Sequence, residues 1–170
     1  MPEEDLLYTL AEIAVAVAGF SGIVIALVSR DGRSAEQSAL DFQILQGVLM
    51  ASLLVVGFSV LPGALVHMGV GARAAWKVSS SIFFLVAGAY FMWTVPRHVA
   101  GYLSADLSVP WSLKFHIVLT VTVLLALAAS AMSFLPQHAH IAGLLVYLYM
   151  AAYSFVRVFL SIGRKNSAAK

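Results

Sequence analysis

The sequence predicts an all-α, polytopic transmembrane helix bundle of five spans, with the N-terminus outside and the C-terminus cytoplasmic. Three observations point there. Of 170 residues, 61% are hydrophobic, and only ten are Lys or Arg and eight Asp or Glu, too little polar side chain to clothe a soluble globule of this size. Apolar stretches of about 20 residues recur, the length a helix needs to cross a hydrocarbon core of about 30 Å. The prolines and most of the charged residues lie outside those stretches.

The first apolar segment covers about residues 6–29, which at the helical rise is about 36 Å and enough to span. Arg30, Asp31, Gly32 and Arg33 end it. Ser34 with Gln37 has capping-box spacing, so a second helix starts near Ala35 with a short amphipathic stub through Asp41. Its span covers about residues 42–61, where Pro62-Gly63 is expected to kink or end the helix. A third span covers residues 75–95, with Trp76 and Trp93 marking the two interfaces and Pro96-Arg97-His98 closing it. Residues 99–109 carry Gly101, Ser104, Asp106 and Ser108 and are expected to be a loop. Pro110 and Trp111 then open a fourth helix, with a span over residues 112–135.

From Ile117 to Val156 there is no Asp, Glu, Lys or Arg, and as one helix this run would reach about 60 Å, so it must fold back. The polar, helix-breaking stretch from Leu135 through Pro136, Gln137, His138 and Ala139 to His140 marks the turn. A fifth span follows over residues 141–162, and Gly163, Arg164 and Lys165 begin a polar tail. No hydrophilic stretch is long enough for a separate domain, so residues 1–170 form one transmembrane domain.

Five spans put the termini on opposite sides. Arg30, Arg33, Arg97, Lys114, Arg164, Lys165 and Lys170 then share one side, against Arg73 and Lys77 on the other, which assigns the first side to the cytoplasm. The pI near 9.0 does not mean nucleic acid, because the basic residues are scattered at span ends without a cluster. The absence of cysteine excludes disulfides, thiolate metal sites and thiol catalysis. Ala16-Val17-Ala18 resembles a signal-peptide cleavage site, but the start Met1-Pro2-Glu3-Glu4-Asp5 is acidic where such a peptide is basic, so the first span is expected to be retained.

Glu12 is the acidic residue that lies well inside a span. A charge at mid-bilayer costs about 3 kcal/mol or more, so such groups are shielded, paired or used. On a helical wheel Ala16, Gly19, Gly22 and Ala26 fall within about 80° of it, and small faces let helices approach closely. This side is therefore expected to meet another helix, from this chain or a second copy. Glu12 has three readings: a structural group bonded to a neighbouring helix, a snorkelling acid, or a proton or cation site. Lys77 and the Ser79-Ser80-Ser81 run are expected at its depth.

His67, His138 and His140 come to the same outer side, where imidazoles and a carboxylate suit zinc, copper or a pH sensor, although His-x-His in a loop is more often a solvated turn. In span five Tyr149, Tyr153 and Arg157 recur every fourth residue, so Arg157 either snorkels with aromatic support or pairs with Asp41. It differs from Glu12 in depth by about 18 Å and is no direct partner for it. Gln43, Gln46, Thr120, Thr122, Ser130 and Ser133 are polar groups able to bond between helices. No phosphate-binding glycine loop, zinc-protease motif, nucleophile elbow or internal repeat occurs, so neither an enzyme nor a bound cofactor is expected.

The run from Glu12 through Ala18-Gly19-Phe20-Ser21-Gly22-Ile23, followed by Leu61-Pro62 and Trp76-Lys77 at later span boundaries, resembles an uncharacterised family of small bacterial integral membrane proteins. Members start with an acid ahead of an Ala-Gly-Phe-x-Gly first span, and the similarity covers roughly the first half of the chain. The resemblance implies the bacterial inner membrane and carries no activity. Lys77 stands where such proteins often have Arg. The expected function is thus a non-enzymatic subunit in the lipid bilayer, either a homo-oligomer or bound to another membrane protein. The alternative is an oligomeric ion or proton channel, or a small transporter, using Glu12.

Overall fold

The computed structural model describes residues 2–28, 35–104, 111–132 and 136–168. They form five α-helices: α1 (Pro2–Val28), α2 (Ala35–His67), α3 (Ala72–Ser104), α4 (Trp111–Met132) and α5 (Pro136–Ala168). The chain is an all-α, multi-pass integral membrane protein. Among the described residues four segments are long and apolar enough to cross a bilayer: Glu4–Val24, Phe42–His67, Ala72–Arg97 and Gln137–Leu160. The apolar part of α4, Leu113–Ala129, is shorter.

The helices overrun the segments expected from apolarity. Pro2 opens α1 in its first turn, where a missing N–H costs nothing, and Glu4 and Asp5 stand at the positive pole. The Thr9 hydroxyl donates to the Asp5 carbonyl at 2.8 Å. α2 does not end at Leu61: it continues through Pro62 to His67. α3 likewise continues through Pro96, so residues 99–104 are helical and not loop. The reason is the solvent. A proline forfeits one hydrogen bond, but a chain that left the helix in or beside hydrocarbon would expose several unbonded groups, each costing several kcal/mol.

α5 begins at Pro136 rather than near Ile141, so His138 and His140 belong to its first turns and not to a loop. The helix also runs on through Gly163, Arg164 and Lys165, where the polar tail was expected to begin. The Ser34 cap, the Arg30–Arg33 connection, Pro110 and Leu135 lie outside the described residues, as do the side chains of Asp41 and Ser130 and all of Ser133.

The turn between α2 and α3 closes as a Schellman motif. Gly69 N–H donates to the Val66 carbonyl and Val70 N–H to the Leu65 carbonyl, both at 3.0 Å. Gly69 has φ +89°, in the left-handed region where glycine has no Cβ penalty.

Two compact units result. The first joins residues 1–60 with 147–170, and its core packs Val24 of α1, Leu45 of α2 and Val158 of α5, with Ile44 and Phe155 against them. The second joins residues 61–146, where α3 and α4 pack together and the head of α5 closes on both. Its buried side chains include Ala75, Phe83 and Ala87 of α3, Val123 and Leu127 of α4, and Leu144 of α5. α2 and α5 contribute to both units.

Candidate functional site

In the first unit α1 is two-sided. Leu7, Leu10, Ala11, Ala14, Ser21 and Val24 are buried, and on the wheel they centre opposite Glu12. Ser21 is satisfied within its own helix, its hydroxyl donating to the Val17 carbonyl at 2.7 Å. Glu12, Ala16, Gly19, Gly22 and Ala26 are all exposed, with Tyr8, Val15 and Ile23 exposed around them. A Cβ added at Gly19 or Gly22 would meet nothing within 4 Å. The small-residue face around Glu12 is therefore exposed along its length among the described residues.

Lys77 belongs to the second unit and Glu12 to the first. Lys77 is half-buried near the start of α3, and its carbonyl accepts the Ser81 hydroxyl at 2.8 Å. With Gly71, Ala72, Arg73 and Ala74 it lines an open depression beside the α2–α3 turn.

The histidines expected on the outer side differ in burial. His67 is exposed, and its Nδ1–H donates to the Gly63 carbonyl of its own helix at 2.8 Å. His138 is exposed. His140 is fully buried, at 0% exposure. Among the described residues no three His, Asp or Glu side chains come together as a metal-ligand group, so the four-ligand site considered from the sequence is not assembled.

His140 instead stands in a cage on the second unit. Its Nδ1 shares a hydrogen bond of 3.2 Å with the Ser80 hydroxyl of α3, whose direction follows the imidazole tautomer. Trp76 and Phe83, also on α3, meet the imidazole edge-on with ring centroids at 5.5 and 5.4 Å. One turn along α5, Gly143 lets the helix settle onto its neighbours. A Cβ there would lie 2.9 Å from Phe83 Cε1 and 3.4 Å from Val123 Cγ1. Ser79, beside Ser80, is buried, and its hydroxyl has no hydrogen-bond partner among the described residues.

The sequence did contain the signal for this cage. Gly143, Leu144, Tyr147, Leu148 and Ala151 are buried at three- and four-residue steps, and that stripe extends back one turn to His140. Reading Pro136 as a break instead of a start cut the stripe short. Trp76, Ser80 and Phe83 repeat the spacing on α3.

The remaining polar positions are dispersed. Arg157 is exposed one turn beyond Tyr153, and Tyr149 and Tyr153 lie with ring centroids 6.2 Å apart. Thr122 donates to the Val118 carbonyl at 2.9 Å within its own helix, Thr120 is buried, and Gln43 and Gln46 are exposed. At the far end of α3 the Arg97 guanidinium lies 3.6 Å above the Trp93 ring, an arrangement suited to an interfacial anchor. No family model matches the chain, and no curated protein or solved structure matches it either.

Proposed function

We propose that the chain is a non-enzymatic subunit of the bacterial inner membrane, with five spans, its N-terminus outside and its C-terminus in the cytoplasm. It self-associates through the Glu12, Ala16, Gly19, Gly22 and Ala26 face of α1. One observation carries this reading: that face is exposed from end to end while the opposite face of the same helix is buried. Left against lipid, the Glu12 carboxylate would face hydrocarbon at a cost of about 3 kcal/mol or more at mid-bilayer. A second copy laid over that face takes Glu12 out of contact with lipid and lets its protonated carboxyl hydrogen-bond across the contact. Gly19 and Gly22 leave the space for the partner backbone to come close enough for dense van der Waals contact.

Native mass measurement of the purified protein in lipid tests the reading. Gly19→Leu or Gly22→Leu is expected to convert the oligomer to monomer, and Glu12→Gln to leave it assembled. A wild type that is monomeric in lipid would refute self-association.

A second reading is favoured by another feature of Glu12, which makes no hydrogen bond or ion pair among the described residues. A carboxylate in that condition suits the outer entrance of a pore formed between copies. Cation or proton flux into liposomes that is lost in Glu12→Gln supports conduction, and equal flux in both proteins rules it out.

A further inference from the structure

The α2–α3 turn lies between two segments that reach membrane length, Phe42–His67 and Ala72–Arg97, so residues 68–71 sit at the depth of lipid headgroups. Beside it is a shallow, open depression lined by Gly71, Ala72, Arg73, Ala74 and Lys77. Arg73 and Lys77 are one helical turn apart and line the same hollow. Lys77 is half-buried, which removes part of its hydration, yet neither cation makes an ion pair among the described residues. The described residues of the second unit contain no Asp or Glu at all. Two positive side chains, one of them half-buried, thus share a hollow for which the described residues of their own unit supply no counter-charge.

The local backbone has the same electrostatic sense. α3 starts at Ala72, so the positive pole of its macrodipole opens onto the depression. Ala75 N–H is used by the Gly71 carbonyl at 2.9 Å, whereas the N–H groups of Ala72, Arg73 and Ala74 precede the first intrahelical bond. A Cβ at Gly69 or Gly71 would meet nothing within 4 Å, so the turn leaves the approach unobstructed.

We propose that this depression is a phosphate-binding site, with Arg73 and Lys77 gripping the phosphate of a lipid headgroup at the membrane boundary. The guanidinium donates two parallel hydrogen bonds to phosphate oxygens, and the ammonium supplies a point charge from the adjacent turn. The preferred ligand is an anionic phospholipid, whose net charge a zwitterionic lipid lacks. Free phosphate carries the same oxygens, and the experiment separates the two sources.

The full-length protein is purified in detergent, and retention of added phosphatidylglycerol or phosphatidylcholine is followed by native mass spectrometry, with inorganic phosphate in a parallel titration. The double variant Arg73→Gln, Lys77→Gln is expected to hold phosphatidylglycerol about thirtyfold more weakly, from the usual strength of two basic side chains near a membrane surface. Lys77→Arg is expected to keep binding, and Lys114→Gln, on an exposed side chain of α4, to leave it unchanged. Unaltered helical circular dichroism in the double variant shows that it folds. Loss of phosphatidylglycerol with no response to inorganic phosphate assigns the site to lipid, and variant-sensitive binding of inorganic phosphate assigns it to the free anion. Equal retention by wild type and double variant, or no preference for phosphatidylglycerol over phosphatidylcholine together with no binding of inorganic phosphate, overturns the proposal.

Discussion

At the scale of single residues, burial separates groups that look alike on paper. Glu12 and His140 are both titratable and both belong to apolar helices, yet one is exposed on α1 and the other is enclosed by Trp76, Ser80 and Phe83. The enclosure depends on Gly143 having no side chain. Phe83 is itself fully buried, so its ring has nowhere to retreat from an added methyl group. Gly143→Ala is expected to destabilise the protein by about 1–3 kcal/mol, the usual range for overpacking a tight core, as measured by reversible unfolding in mixed micelles. An unchanged midpoint would mean that the contact yields easily and that Gly143 does not set the approach of α5. Glu12 and its small neighbours were legible in the sequence, because wheel geometry needs only the helical repeat. The burial of His140 was signalled by the stripe that runs back from Gly143, but its partners Trp76, Ser80 and Phe83 were not, because which residues of α3 come opposite is set by tertiary packing.

At the scale of elements, the five helices were legible from apolar periodicity and length, while their ends were not. Pro62 and Pro96 lie inside α2 and α3, and Pro136 begins α5. Sequence rules drawn from water treat each as punctuation, but beside hydrocarbon the helix is retained because unbonded backbone is costlier than one missing N–H. The one sharp reversal described, between α2 and α3, is made by glycine. Gly69 takes φ +89° as the residue after the helix cap, and an L side chain there adopts the left-handed region at a cost of about 1–2 kcal/mol. Gly69→Ala is therefore expected to lower stability by that amount. Gly71→Ala, at a position with ordinary backbone and open space, is expected to change it by less than about 0.5 kcal/mol. Thermal unfolding of the two variants side by side checks the contrast, and equal losses would contradict the assignment of the turn to Gly69.

At the scale of the whole molecule, the membrane class follows from a shortage of charge, and it was fully legible because so few residues can face water. What lies on the outside of the helices was not legible. The small-residue face of α1 was expected to meet a neighbouring helix, from the same chain or from a second copy; it is exposed among the described residues, and on the proposed reading a second copy covers it. The chain has no cysteine, which makes the contact directly addressable. A single cysteine placed at Ala16, on the Glu12 face, can be oxidised in native membranes and compared with one placed at Leu125, a 67% exposed position on α4. Self-association through α1 predicts a covalent dimer from Ala16→Cys and little or none from Leu125→Cys. No dimer from Ala16→Cys, or equal yields from both, would contradict it.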